Sequence, residues 1–282
     1  MKLIRQVHEL RDVLTERRTA ERSIGLVPTM GGFHDGHLSL MRRARADCDV
    51  TVVSLFVNPT QFNDPRDLAA YPRDEQRDAA LAGAAGVDIL FAPSTGEMYP
   101  HGLSTTVTVG GVSEPLEGRS RGASHFAGVA TIVAKLFNIV QPAVAYFGQK
   151  DAQQALVVRK LVRDLNVPVR IEVCPTVRDP DGLAMSSRNV RLSPADRVRA
   201  LALRAGLDAS LEAIRGGERR ASVVESIGRE AMRARGVEPE YFAAVPADTL
   251  LPFATLTGEI LLAVAAHVGD VRLIDNEIVQ TE

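Results

Sequence analysis

Cys48 and Cys174 are the only two cysteines in 282 residues. That scarcity excludes a disulfide scaffold and fits a reducing compartment. No apolar run approaches the roughly 20 residues that span a bilayer. The opening stretch, MKLIRQVHELRDVLTERR, is too charged for the core of a signal peptide. A soluble, cytoplasmic protein with no membrane partner is expected. An excess of one charge is also missing: 33 Lys and Arg stand against 35 Asp and Glu, for a net charge of −2. There is no basic footprint for nucleic acid, which argues against transfer RNA or another nucleic-acid partner. Repeats and long low-complexity tracts are absent. What is present is ordinary for a globular enzyme, with 45% hydrophobic and 24% charged residues, and the length suggests about two domains.

The organising stretch is residues 23–40, SIGLVPTMGGFHDGHLSL. Residues 23–27 form a short apolar run suited to a buried parallel strand. Pro28, Gly31 and Gly32 break it, and a polar turn then carries His34, Gly36 and His37. After the turn, Leu38, Met41 and Ala44 fall at helical spacing. In an open parallel sheet, ligands bind where the carboxyl end of a strand feeds a helix. The helix start favours an anion through its free N–H groups and its dipole. Glycine at 31, 32 and 36 lets a phosphate approach the backbone with no Cβ in the way. His34 and His37 are spaced to point N–H donors at that anion. A metal pair is one alternative reading, although HExxH spacing is absent and both cysteines are distant; incidental surface histidines are another. The His-x-Gly-His arrangement resembles the signature of nucleotidylyltransferases and their adenylate-forming relatives.

The rest of the chain alternates strands and helices. A surface helix is expected over 6–18 and a central strand over 50–57, ending in a polar loop where Asn58 and Gln61 face the same crevice as the histidines. A helix over 66–81 and a strand over 87–91 follow. Residues 99–122 read as a flap or long loop with a strand at 105–109. Ser124 and His125 open a helix whose apolar stripe (Phe126, Val129, Val133, Leu136, Phe137, Val140) is core. His125 reads equally as an anion contact or a cap. After a strand at 143–147, Gly148, Gln149, Lys150 and Asp151 repeat the strand–glycine–polar–helix order, with Gln153 and Gln154 in the next helical turn. A lysine at a helix start opposes the dipole, which points to an anionic partner. Beyond a strand at 169–173, residues 176–189 (TVRDPDGLAMSSRN) offer two hydroxyls and the fork-shaped Arg188, a set suited to phosphates. This loop resembles the mobile Lys-Met-Ser-Lys-Ser loop of class I aminoacyl-tRNA synthetases. Ser193 and Pro194 cap the next helix. Helices are expected over 194–215 and 218–235, and strands over 241–245, 259–265 and 272–275. The expected fold is α/β: a doubly wound, Rossmann-like parallel sheet over residues 1–175, with a smaller C-terminal α+β domain over 176–282 covering the site.

Taken together, VPTMGGFHDGH, SLFVNPTQF, LAAYPRD, HFAGVATIV, YFGQKDAQQ and PTVRDPDGLAMSSRN resemble, in order, the motifs of the pantothenate synthetase (pantoate–beta-alanine ligase) family. The resemblance implies a two-step reaction. Pantoate's carboxylate attacks the α-phosphate of ATP to give pantoyl adenylate and pyrophosphate, and the amine of β-alanine then displaces AMP. It implies an ATP site of Met30, Gly31, His34, His37, Gly148, Lys150, Asp151, Val177, Met185, Ser186, Ser187 and Arg188. Among these His37, His34, Lys150 and Arg188 are catalytic. Gln61 and Gln154 would bind pantoate, and Gln61 also β-alanine. Mg²⁺ would accompany ATP, with Asp78 as a candidate ligand, and the protein would be a homodimer. Three departures stand out. Gln149 replaces a usual Glu, the loop over 117–125 is one residue longer, which puts any role of Arg119 or Arg121 in doubt, and Arg77 occupies an acidic position. A nucleotidylyltransferase that leaves the nucleotide on its product is the nearest rival class, and a non-enzymatic nucleotide-binding module is the third.

Overall fold

Six short apolar runs become strands β1 (Lys2–Ile4), β2 (Ile24–Thr29), β3 (Val50–Leu55), β4 (Ile89–Phe91), β5 (Val144–Gly148) and β6 (Arg170–Cys174). In the computed structural model, which describes residues 1–281, they form one sheet in the order β1-β4-β3-β2-β5-β6. Every pairing in it is parallel. The helices between them are α1 (Val7–Thr19), α2 (Asp35–Asp47), α3 (Pro65–Ala70), α4 (Glu75–Ala84), α5 (Thr95–Met98), α6 (Glu117–Arg121), α7 (Ala123–Val140) and α8 (Ala152–Asp164).

The four inner strands are buried on both faces, which is why they read as near-continuous apolar runs. In β5, Ala145 and Phe147 enter one core with Leu26, Val52 and the α7 residues Val129 and Val133. Tyr146 points the other way, into a core with Val27, Val53 and Met41 of α2. The position of β2 decides where a ligand can sit. Its ladder with β3 runs the whole strand, from Ile24↔Val50 to Thr29↔Leu55. Its ladder with β5 has only two rungs, Gly25↔Val144 and Leu26↔Ala145. Connections turn in opposite directions on either side of this pair, so the strands part toward their carboxyl ends.

Contacts divide the chain into two compact units, Met1–Gln149 with Gln153–Pro175, and Lys150–Ala152 with the chain from Thr176 onward. In the second, α9 (Pro194–Arg215) and α10 (Ala221–Arg233) cover an antiparallel sheet of β7 (Pro239–Pro246), β8 (Gly258–Val268) and β9 (Val271–Thr281). Leu203, Leu207, Phe242, Leu262 and Val264 fill its core. Ser193 caps α9, its Oγ accepting from Asp196 N at 3.1 Å, and Pro194 takes the first helical position. Gly206 and Gly228 let the two helices close on the Phe242 ring, which a Cβ on Gly228 would overlap.

Four local expectations change. The helix over 66–81 is two, α3 and α4, because Pro72 lies between them. Pro28 lies within β2 rather than ending it, facing Ser54 in the ladder to β3. No strand forms at 105–109. There the backbone of Val107 donates instead to the Thr131 hydroxyl of α7, at 2.9 Å. The edge strand β1 was not foreseen; three residues are too few to carry an alternation.

Gly228→Val is expected to destabilise the second unit by about 1–3 kcal/mol through overpacking, read as a lower urea midpoint. A midpoint at or above that of the parent protein would contradict the close helix approach.

Candidate active site

Past Thr29 the chain reverses through Gly31 (φ 87°) and Gly32 (φ 65°), in the region that favours glycine. A Cβ on Gly31 would also lie 2.6 Å from Leu55 Cδ1 and 2.9 Å from Asp78 Oδ2. His34 then caps α2, its Nδ1 accepting from Gly36 N at 3.2 Å. An accepting Nδ1 leaves the proton of the neutral ring on Nε2. One turn on, the His37 ring lies 4.2 Å from that of His34 and 5.5 Å from Phe33. The two imidazoles are brought together as expected.

The backbone of the turn is a different matter. Gly31 N donates to Thr29 Oγ1 at 3.4 Å, Gly32 N to Asp78 Oδ2 at 2.8 Å and Phe33 N to Asp78 Oδ1 at 2.8 Å. Three consecutive N–H groups therefore point into the protein. Asp78, on α4, is 1% exposed, and its two oxygens serve those amides, so the proposed metal-ligand role does not fit. Beside it, Arg77 donates Nη1 to Phe33 O at 3.2 Å. Among the described residues, no group of three or more His, Cys, Asp or Glu is arranged to hold a metal ion. The residues present do not fit a protein-held Mg²⁺.

The loop after β3 is built on Asn58, 1% exposed. Its Oδ1 accepts from Thr60 N, the Thr60 hydroxyl and the Tyr99 hydroxyl, at 3.4, 3.0 and 2.8 Å. Its Nδ2 donates to Gln61 Oε1 at 3.1 Å and to Gly128 O at 3.2 Å. With its carbonyl so engaged, Gln61 turns its Nε2 toward Met30 Sδ, at 2.8 Å. Burial pushes the Tyr99 phenol up, which keeps it a donor. Helix α7 comes close enough that a Cβ on Gly128 would lie 2.5 Å from Thr60 O. His125, read as an anion contact or a cap, has Nδ1 2.8 Å from Gln61 O.

Gly148 ends β5 at the same carboxyl edge. In the first turn of α8, buried Gln153 donates to Val112 O and Pro115 O and accepts from Glu117 N, at 2.9, 2.7 and 2.9 Å. It thereby fixes the segment read as a flap. Arg121 pairs with Glu117 at 2.6 Å, whereas Arg119 is exposed. Gln154, the pantoate candidate, is the next residue on α8 and is half-buried.

The other candidates belong to the second unit. Lys150, with its side chain 20% exposed, has Nζ 3.8 Å from Asp151 Oδ1. Residues 176–189 form a tight loop in which Met185 N donates to Val177 O at 3.0 Å and Arg188 N to Ser186 Oγ at 3.2 Å. Two β9 residues that sequence reading passed over hold these segments. Asp275 makes a bidentate pair with Arg178, at 2.6 and 3.0 Å. Asn276 donates to Lys150 O at 2.9 Å. No local signal marked them, because β9 also carries Arg272, Glu277 and Gln280.

An all-parallel, doubly wound sheet with a glycine–histidine turn where its strands part defines a Rossmann-like α/β protein with a ligand site at the carboxyl edge. The family model described as pantoate-beta-alanine ligase matches residues 2–278. Pantothenate synthetase of Cereibacter sphaeroides is 53% identical over 97% of this chain and 98% of its own. That of Moorella thermoacetica is 50% identical over 99% of each. The pantothenate synthetase structure from Thermus thermophilus superposes with a TM-score of 0.93 at 46% identity, covering 98% of this chain and 99% of its own. A pantoate–beta-alanine ligase from Francisella tularensis, complexed with beta-gamma ATP and beta-alanine, gives 0.79 at 35% identity, covering 99% and 97%. The chain belongs to the pantoate–beta-alanine ligase family.

The buried pair on β9 is open to test. Asp275→Ala leaves the Arg178 guanidinium only Glu277 at 3.6 Å and two backbone carbonyls as partners, and is expected to cost about 1–3 kcal/mol in urea unfolding. The double variant Arg178→Met/Asp275→Leu should recover much of that loss. Purely additive losses would show that the two residues do not act as a pair.

Proposed function

We propose that this chain condenses pantoate with β-alanine at the expense of ATP, through pantoyl adenylate, releasing pyrophosphate and AMP. The observation that carries the reading is the pairing of His34 and His37 at the start of α2, after a turn whose Met30 meets Gln61, in a chain of this family. A pantoate carboxylate oxygen bonds to the α-phosphorus while the bond to pyrophosphate breaks. Negative charge builds on the α-phosphoryl and on the departing pyrophosphate, and donors aimed at it stabilise the transition state. His34, through Nε2, and His37 supply imidazole donors; Lys150 and Arg188 supply cationic ones. The Ser186 and Ser187 hydroxyls, Gly31, Met30, Gly148, Asp151, Val177 and Met185 complete the nucleotide-binding set. Mg²⁺ enters as the counter-ion of ATP, as part of the substrate.

Gln61 and Gln154 hold pantoate. The Gln61 amide, its carbonyl tied to Asn58, offers N–H donors to pantoate's oxygens. A neutral amide binds an anionic acid without locking its nucleophilic carboxylate in a salt bridge. In the second step the β-alanine amine, near Gln61, attacks the acyl carbon, AMP leaves and the amine loses its proton. Holding adenylate and amine side by side makes this step nearly intramolecular. A homodimer in the cytoplasm is part of the same reading; the free, buried Cys48 and Cys174 suit a reducing compartment.

Pyrophosphate and AMP should form continuously from Mg-ATP only when pantoate and β-alanine are both present. Without the amine, pyrophosphate should stop near one equivalent per site. No pantoate-dependent release would refute the reading, and a stable nucleotide adduct would indicate a transferase. His37→Ala and Lys150→Ala should each lower kcat by on the order of 10²–10³ with the melting temperature unchanged; near-parent pyrophosphate release would remove them from the machinery. Gln61→Ala should raise KM for pantoate more than for ATP, and equal weakening of both would count against its placement.

A further inference from the structure

Successive backbone N–H groups in a glycine turn make a concavity that binds an anion, commonly a phosphate. Here the N–H groups of Gly32 and Phe33 converge on an anion that belongs to the chain, the Asp78 carboxylate, with one amide on each oxygen at 2.8 Å. The carboxylate is 1% exposed. Arg77 completes the grip from the other side of the same peptide, donating to Phe33 O at 3.2 Å, and its Nη1 lies 3.9 Å from Asp78 Oδ1. Helix α4 therefore holds the Phe33 residue by both its N–H and its carbonyl. Phe33 directly precedes the cap residue His34, so its orientation sets where α2 begins and where both imidazoles stand.

We propose that Asp78 is the internal anion of the glycine turn and a positioning residue for His34 and His37, with no part in binding Mg²⁺. The inference rests on the catalytic reading of those two histidines. An isosteric amide at position 78 keeps one acceptor and sets an NH₂ against a backbone N–H. The turn then relaxes, and the imidazoles shift relative to the reacting phosphate. Displacements of that kind, near 1 Å, cost on the order of 10²-fold in rate.

The test compares Asp78→Asn with the parent protein in pantoate-dependent pyrophosphate release, across a range of Mg²⁺ at saturating ATP. The expected result is a kcat lower by on the order of 10²-fold, with the Mg²⁺ concentration for half-maximal rate unchanged. An unchanged kcat would overturn the proposal. So would recovery of the parent rate at high Mg²⁺, the behaviour of a lost metal ligand. A measurement on the parent protein stands apart from any folding defect of the variant. The amide protons of Gly32 and Phe33 should exchange slowly with solvent, and their resonances should stay in place when Mg²⁺ is added without ATP. Movement of either resonance, or fast exchange, would refute the internal-anion role. A parent protein that keeps those two protected amides yet makes no pyrophosphate would instead overturn the ligase reading and leave the turn's anchor standing.

Discussion

The constraint on which the site depends is the parting of β2 from β5 beyond Leu26. A parallel sheet extended in both directions from a central pair has connections leaving on opposite sides of that pair, and nothing fills the space above it. The loops there cannot be finished by more strand pairing, so their polar groups need other partners. Three of them, after β2, β3 and β5, leave the same carboxyl edge of one rigid sheet.

The loops after β2 and β3, and the segment before α7, are each finished by one buried polar side chain whose bonding capacity is taken up by its surroundings. Asp78 takes two amides of the glycine turn, Asn58 makes five bonds around the loop ending at Gln61, and Gln153 makes three to the segment from Val112 to Glu117. In the second unit Asp275 and Asn276 do the same for residues 176–189 and Lys150. Left unpaired, such groups would be costly; fully paired, they hold a loop in one arrangement. Preorganisation here comes from a few inward-facing polar residues.

That arrangement explains what was legible in the sequence. The strand, turn and helix around His34 and His37 were readable because an apolar run, glycines and helical spacing each mark themselves locally. Gln61 was readable because a proline stop after a central strand puts the next few residues at the sheet's carboxyl edge. The bonds of Asp78 were not legible: one acidic residue in EQRDAAL looks like any helix charge, and only the tertiary approach of α4 to the turn gives it two amides to bind. Asp275 was missed for the same reason, its partner Arg178 being 97 residues away. The Pro72 break between α3 and α4 was locally visible and was overridden by the helical spacing around it. Fold and outward-facing chemistry were local in sequence; the anchors were not.

A carboxylate buried under a turn that, on the proposed reading, faces phosphates looks electrostatically perverse, since it would repel the ligand. Its surroundings answer the objection. Two amide dipoles point at Asp78, and the Arg77 guanidinium lies within 4 Å, although that side chain is 57% exposed and largely screened. The field of the carboxylate is therefore spent on near neighbours before it reaches the imidazole edges. Holding the turn with a covalently attached anion also has an advantage over leaving the concavity open: an open nest would bind phosphate in substrate and product alike, lowering KM without raising kcat. Filling it from within commits the turn to presenting imidazoles, whose contribution depends on alignment with charge that develops only during the reaction. On the proposed reading, uniform phosphate affinity is thereby exchanged for transition-state geometry.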